Sequence, residues 1–153
     1  MKNIYLFTLV FLLLFYSGCS VAQPSLKPDD SKGFLAHDPV MIKQGDVFYL
    51  FTTGGGVAKS KDLENWERIK PVPSDLKWVT KDIIPGHRRG YWAPDIQYLE
   101  GTYYLYYSPS AFAKNTSAIG VMTNTTLDQN SPDYKWIDHG MILKSIPGRD
   151  FWN

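Results

Sequence analysis

Two stretches of this 153-residue chain repeat the same pattern of short strands, and this repeat is the strongest constraint on the fold. Residues 40–42 lead through Gln44-Gly45-Asp46 into residues 47–51, and residues 96–98 lead through Glu100-Gly101 into residues 102–107. Each stretch is an apolar or aromatic run, a turn containing glycine and a second such run, which is typical of a β-hairpin. No segment from residue 34 onward keeps a 3.6-residue period, so the sequence predicts an all-β fold.

The repeat continues downstream of both hairpins. The matching pairs are residues 56–60 and 120–124, Leu63 and Leu127, and Trp66 and Trp136. Each unit would therefore supply about four strands and end in a Trp. Tyr49 and Tyr104 are 55 residues apart, close to the size of one four-stranded blade of a β-propeller. A β-sandwich is the alternative, because alternating short strands alone do not separate the two folds.

Two repeat units would leave both outer faces open, and a repeat buries its faces only against neighbours. We therefore expect residues 34–153 to be the N-terminal part of a longer propeller, with about two blades present. The last residues, 150–153, include two aromatic side chains and no terminating signal, which agrees with an interrupted strand.

The first 22 residues have the pattern of an export signal. Lys2 precedes an uncharged run over residues 4–16, which is shorter than the roughly 18 residues that span a bilayer as a helix. We predict a signal peptide over residues 1–22 and a solvated tether over residues 23–33. The protein is then exported to the outside of the cell, to the periplasm or to a lipid anchor at the bacterial cell surface.

Two cleavage sites compete in this leader. Ser20-Val21-Ala22 fits ordinary signal peptidase, whereas Ser17-Gly18-Cys19 resembles the end of a lipoprotein box, in which Cys19 would be lipidated. Tyr16 departs from the usual Leu of that box. Cys19 is the only cysteine, so no intrachain disulfide can form, and a lipid on Cys19 is the only membrane contact that the sequence predicts.

Charge and composition narrow the class of ligand. Lys plus Arg number 16 and Asp plus Glu 15, and a net charge of +1 argues against nucleic-acid binding, which needs a basic face. The chain has 10 Tyr, 8 Phe and 5 Trp, more than a core of this size requires. Excess aromatic surface is typical of proteins that bind sugar rings.

The motifs that would carry chemistry are few. The sequence has no His-Glu-x-x-His, no Gly-x-Ser-x-Gly and no metal-ligand spacing. A phosphate-binding glycine loop would open a helix, but a predicted strand follows Gly54-Gly55-Gly56, so this run predicts a flexible turn. What remains is His37-Asp38-Pro39 and Trp92-Ala93-Pro94-Asp95, each just before a predicted first strand. Two carboxylates facing a propeller channel would suit glycoside hydrolysis. Alternatively, Asp38 and Asp95 only cap turns beside proline.

Five motifs carry a resemblance to a known family. In chain order they are Ala36-His37-Asp38-Pro39, Tyr91-Trp92-Ala93-Pro94-Asp95-Ile96, and residues 106–112, 115–121 and 136–140. From about Leu35 to Asn153 the chain resembles the N-terminal half of family 43 glycoside hydrolases, and is most similar to the endo-1,5-α-L-arabinanases. The resemblance implies a five-bladed β-propeller that cleaves α-1,5-linked arabinan or arabino-oligosaccharides with inversion.

The resemblance also assigns roles to residues. Asp38 matches the general base, and Asn153 matches the start of the Asn-Ala-Ile-Asp-Pro stretch that carries a second, pKa-tuning Asp in the family. The acid Glu of the family comes later still. Because one of three carboxylates is present, we expect this chain to be inactive alone. No cofactor is expected within the chain, since the calcium that the family often holds at the hub is bound by residues beyond Asn153.

The matched pocket residues are His37 as a hydroxyl partner, Trp92 and Phe112 as apolar faces, and Asp95, which would bind sugar or hold the hub through backbone amides. By the same resemblance Asn153 is expected to bind substrate. We expect core packing for Trp66 and Trp136, and structural or solvated positions for His87 and His139. Two other functions stay open: another family 43 activity, β-xylosidase or α-L-arabinofuranosidase, and a non-catalytic carbohydrate-binding remnant. Residues 110–112 and 115–120 favour the arabinanase.

The resemblance predicts what the gene encodes next. DNA beyond the Asn153 codon should continue, in frame or after one frameshift, into Ala-Ile-Asp-Pro and later a Glu before a blade's first strand. Sequencing the locus checks this. An immediate stop with no propeller-like sequence downstream would leave only the binding or decayed-gene hypotheses.

Overall fold

A computed structural model describes residues 35–146, which form two four-stranded antiparallel sheets with their strands in chain order. The strands of the first sheet are β1 Val40–Gln44, β2 Val47–Phe51, β3 Val57–Ser60 and β4 Glu67–Ile69. Those of the second are β5 Trp92–Leu99, β6 Thr102–Ser108, β7 Ala118–Asn124 and β8 Ile137–Lys144. The predicted leader, Cys19, the tether and Asn153 lie outside the described residues.

The two hairpins predicted from sequence are confirmed, and they share one register. Val40 pairs with Phe51 in the first sheet, and Asp95 pairs with Tyr106 in the second, so the 55-residue offset holds across both strands. Two details differ from expectation. Residues 92–95 lie within β5 and not just before it, with a register shift between Trp92 and Asp95. The Trp of each unit precedes the fourth strand and does not end the unit.

One hydrophobic core runs through both sheets. Alternate residues of β6 and β7 are buried, as expected for strands that pack one face against a core. Phe51 of the first sheet meets Trp136, which precedes β8, edge to face with ring centroids 6.2 Å apart. Trp136 therefore packs against the core as predicted, whereas the half-buried Trp66 donates from its indole to the Leu63 carbonyl 3.0 Å away.

Two glutamines fix the sheets to each other through their amides. Gln44, at the end of β1, accepts from the Leu127 N–H at 2.6 Å and donates to the Thr126 hydroxyl at 3.1 Å. Gln129 bonds both the N–H and the carbonyl of Lys70, at 3.1 and 2.7 Å. Each amide uses its donor and its acceptor together, which sets orientation as well as distance.

The long connection between β4 and β5 adds a second buried layer. Val72, Ile84 and Tyr91 are 2%, 0% and 1% exposed, and Ile84 packs with Ala111 and its neighbours. The N–H of Val72 donates to the Gly55 carbonyl at 3.0 Å, which ties this connection to the turn after β2. Within residues 35–146, no helix has the length and hydropathy needed to cross a membrane.

Glycine at position 120 is required by the ring of Tyr107. A Cβ on Gly120 would lie 2.4 Å from Tyr107 Cζ, far inside contact distance. The ring cannot move aside cheaply, because it is 1% exposed and its hydroxyl donates to Asp138 and accepts from the Trp78 indole. The pair of Tyr107 and Gly120 therefore sets how β6 lies against β7.

We expect Gly120→Ala to lower the free energy of unfolding by about 1–3 kcal/mol, because the added methyl overpacks the core. Urea denaturation of the full-length protein, followed by tryptophan fluorescence, measures the change. Tyr107→Leu in the same background removes the ring, so the double-mutant cycle should show coupling between the two sites. A Gly120→Ala variant as stable as the parent would contradict the account.

Candidate active site

The candidate site begins at two strained turns, one before each first strand. Asp38 and Ala93 both precede a proline and both have positive φ, 48° and 39°. A residue before proline avoids helical conformations, and positive φ is uncommon for residues other than glycine. With the 55-residue offset, the counterpart of Asp38 in the second sheet is Ala93, not Asp95. The two carboxylates singled out from the sequence therefore occupy different positions in their repeats.

Thr53 joins these two turns through a single hydroxyl. It lies in the short 3₁₀ turn Thr53–Gly55 that follows β2. Its Oγ1 donates to Asp38 Oδ2 at 2.8 Å and accepts from the Ala93 N–H at 2.9 Å. Its own N–H donates to the His37 carbonyl at 2.9 Å. Thr53 thus uses both its backbone and its side chain to hold the start of β1 against β5.

Asp38 receives a second hydrogen bond from its neighbour. His37 Nδ1 lies 2.8 Å from Asp38 Oδ2 and donates to it, since a carboxylate only accepts. The Thr53 hydroxyl bond, with help from the His37 bond and its charge, lowers the pKa of Asp38. Asp38 is therefore ionised at neutral pH. Both bonds go to Oδ2, so among the described residues Oδ1 has no donor and is available to water.

Two exposed aromatic side chains lie in one neighbouring cavity of about 460 Å³. Trp92, the counterpart of His37 in the second sheet, is 37% exposed, and Phe112, in the loop between β6 and β7, is 86% exposed. A single exposed apolar side chain is ordinary, whereas a group of them in one concave place indicates a binding site. The structure therefore brings Trp92 and Phe112 together, while His37 and Asp38 lie outside the lining of this cavity.

The loop that carries Phe112 is braced by hydrogen bonds. Ala111 N–H donates to the Thr116 carbonyl at 3.0 Å, and the Thr116 hydroxyl donates to the Pro85 carbonyl at 3.0 Å. Ala113 has a φ of 58°, which makes the loop turn sharply after Phe112. These bonds fix the aromatic ring near Trp92 without burying it.

Asp95 and the other histidines have clear positions. Asp95 is exposed at the point where β5 resumes regular pairing, and its carboxylate has no hydrogen-bond partner among residues 35–146. Its role in sugar or hub binding stays a prediction. His87 Nε2 lies 2.8 Å from the Gly90 carbonyl, and His139 Nε2 lies 2.7 Å from the Thr123 hydroxyl. Both contacts are structural.

Sequence patterns did not select Thr53, and they assigned no role to Ala93. The run Gly54-Gly55-Gly56 predicts a flexible turn at this point. The Gly54 N–H instead donates to the Tyr91 carbonyl at 2.8 Å, which holds the turn in place. No three His, Cys, Asp or Glu side chains between residues 35 and 146 are grouped to hold a metal ion. A hub calcium bound by residues beyond Asn153 stays a prediction.

The model of the family described as "Glycosyl hydrolases family 43" matches residues 32–151. The chain belongs to this family. Family 43 arabinanases are five-bladed β-propellers, and the two sheets correspond to two of their blades, so the propeller prediction is confirmed and the sandwich alternative is excluded.

Three similar proteins show where in the family the chain lies. It is 49% identical over 120 residues to the extracellular exo-α-(1→5)-L-arabinofuranosidase ArbA of Cellvibrio japonicus (strain Ueda107), covering 76% of this chain and 34% of that protein. It is 38% identical over 124 residues to the extracellular endo-α-(1→5)-L-arabinanase 1 of Bacillus subtilis (strain 168), covering 76% and 37%. The solved Cellvibrio cellulosa α-L-arabinanase complexed with arabinohexaose superposes with a TM-score of 0.74 at 46% identity, covering 80% of this chain and 39% of that one.

These values place the chain, within its family, beside proteins named as acting on α-1,5-linked arabinose. The chain spans between about a third and two fifths of the length of these proteins. The catalytic roles of individual residues are therefore taken up below as proposals for the full-length protein.

We predict that Thr53→Val in the full-length protein lowers kcat/KM roughly tenfold to a hundredfold, because the carboxylate of Asp38 loses its link to Ala93. Since the Thr53 hydroxyl lowers the pKa of Asp38, its loss should raise that pKa and move the acidic limb of the pH profile to higher pH. Thr53→Ser keeps the hydroxyl and should restore both. A pH profile measured for the three proteins checks this, and an unmoved acidic limb in Thr53→Val would contradict it.

Proposed function

We propose that the full-length protein hydrolyses α-1,5-linked L-arabinan, with Asp38 as the general base. The observation that carries the proposal is the Asp38 carboxylate, ionised and held through Oδ2 by Thr53 and His37 at 2.8 Å each, with Oδ1 left for water. A general base needs a fixed position and an unprotonated form at working pH. Asp38 has both.

The proposed reaction inverts the anomeric centre in one displacement. Asp38 takes a proton from a water molecule as that water attacks the sugar carbon, and a carboxylic acid on the other side protonates the departing oxygen. Inverting glycosidases hold the two groups roughly 6.5–9.5 Å apart. We assign the acid to a Glu beyond Asn153, because the Glu side chains at 64, 67 and 100 lie exposed at turns or in β4. The 153-residue chain alone is then inactive.

Trp92 and Phe112 are proposed to receive the sugar chain, with the C–H faces of arabinose packing on their rings. Both are exposed and lie in the cavity next to the start of β5. The similarity to an α-L-arabinanase complexed with arabinohexaose supports a chain of arabinose units as the ligand. The non-catalytic alternative predicts the same binding without cleavage, so turnover separates the two.

An exo mode of cleavage is the second candidate. The relative at 49% identity is named an exo-acting arabinofuranosidase, whereas the one at 38% is named an endo-arabinanase. Release of a single small product from debranched arabinan would indicate exo cleavage, and a spread of oligosaccharides would indicate endo cleavage.

The site of action is proposed to be outside the cytoplasm. Both of these relatives are named extracellular, and residues 1–22 have the pattern of an export signal. Lipidation of Cys19 would keep the enzyme at the membrane surface. Mass spectrometry of the mature N-terminus separates a lipidated Cys19 from a free Gln23.

Asp38→Asn in the full-length protein should lower kcat on debranched arabinan about 10²–10⁴-fold, because the amide cannot take the proton from water. Reducing-end formation measures the loss. Asp46→Asn is the matched control, since Asp46 is an exposed carboxylate in the turn between β1 and β2 and should leave turnover unchanged. Turnover retained by Asp38→Asn would refute the base assignment, and turnover by the 153-residue chain alone would refute the need for an acid beyond Asn153.

A further inference from the structure

Among the described residues, three cationic side chains and no carboxylate line the cavity that holds Trp92 and Phe112. The cations are Arg88, Arg89 and Lys114. A chain with 16 basic and 15 acidic residues has no general excess of positive charge to explain such a grouping. The concentration of charge is therefore a local property of this cavity.

In the part of the chain that the structure describes, no carboxylate forms an ion pair with any of the three cations. Within residues 35–146 the ion pairs join His37 to Asp38 and Lys59 to Glu67. Like charges that share a cavity repel one another, and at ordinary ionic strength they interact over roughly 8–10 Å. An anion bound among them would relieve that repulsion and gain charge-assisted hydrogen bonds.

The two segments that carry the cations are held in place. The His87 ring donates to the Gly90 carbonyl at 2.8 Å, closing the turn that contains both arginines. Gly86 leaves room for the side chain of Lys114, whose Cδ would lie 3.1 Å from a Cβ at that position. The Thr116 hydroxyl joins the loop of Lys114 to the carbonyl of Pro85 at 3.0 Å.

We propose that this cavity also accepts a uronic acid residue of an acidic oligosaccharide, in place of an arabinose unit. Trp92 and Phe112 offer apolar faces to either sugar ring, and a guanidinium fork matches the geometry of a carboxylate. The hydroxyls of neutral arabinose can accept hydrogen bonds from the three cations but leave their charge uncompensated. The inference extends the proposed function, because it takes Trp92 and Phe112 as sugar-binding residues and adds an acidic sugar to those that they receive.

The test measures binding of trigalacturonate to the full-length protein by calorimetry at low and at high salt. We expect binding that weakens with salt, and a loss of about tenfold in affinity for Arg88→Gln/Arg89→Gln as charge-assisted bonds are removed. Lys114→Gln should weaken binding as well. Lys61→Gln is the matched control, because Lys61 lines a different cavity and should leave the affinity unchanged.

Two results would overturn the inference: no binding of trigalacturonate by the parent protein, or equal affinity in the parent and the double variant. Inorganic phosphate that competes as well as trigalacturonate would also overturn it, since the site would then recognise an anion and not a sugar. Turnover of neutral debranched arabinan by the parent protein is measured in the same preparation. Its absence would count against the proposed hydrolase and not against the cationic cavity.

Discussion

The Thr53 hydroxyl is the interaction on which the candidate site depends. It has one proton and two lone pairs, and it donates a hydrogen bond to Asp38 and accepts one from the Ala93 N–H. Thr53 belongs to the turn after β2, and Ala93 lies in β5, so the carboxylate is positioned only when the two blades have packed. The bonds also hold Asp38 and Ala93 at positive φ, conformations that cost energy and persist only where surrounding contacts enforce them.

The two blades use one backbone design for two tasks. In each blade a residue at positive φ precedes a proline and leads into the first strand. In the first blade that residue is Asp38, which supplies a carboxylate, and in the second it is Ala93, which supplies only an N–H to hold the carboxylate's partner. His37 and Trp92 differ in the same way, one bonding the carboxylate and the other facing an open cavity. The fold repeats while the chemistry does not.

Sequence patterns predicted the elements that depend on local order, and missed those that depend on distant contacts. The hairpins, the 55-residue offset and the packing of Trp136 follow from alternation and turn residues, and they are confirmed. Thr53 could not be selected, because its partner Ala93 lies 40 residues away in another sheet. Gly120 is needed only because the Tyr107 ring lies above it. Asp95 drew attention as a carboxylate beside proline, yet the register gives it a position that Asp38 does not share.

In the proposed function, hydrogen bonds at Asp38 set the protonation of the base, and the charge of the cavity that holds Trp92 and Phe112 sets which sugar binds there. The causes that lower the pKa of Asp38 are the Thr53 bond, the His37 bond and the charge of His37, with no arginine or lysine among them. Salt screens the attraction of exposed cations for a bound anion but leaves short hydrogen bonds largely unchanged. A cationic cavity can therefore select an acidic sugar without altering the protonation of the base. In the two proposals, recognition of charge and activation of water are then independent of each other.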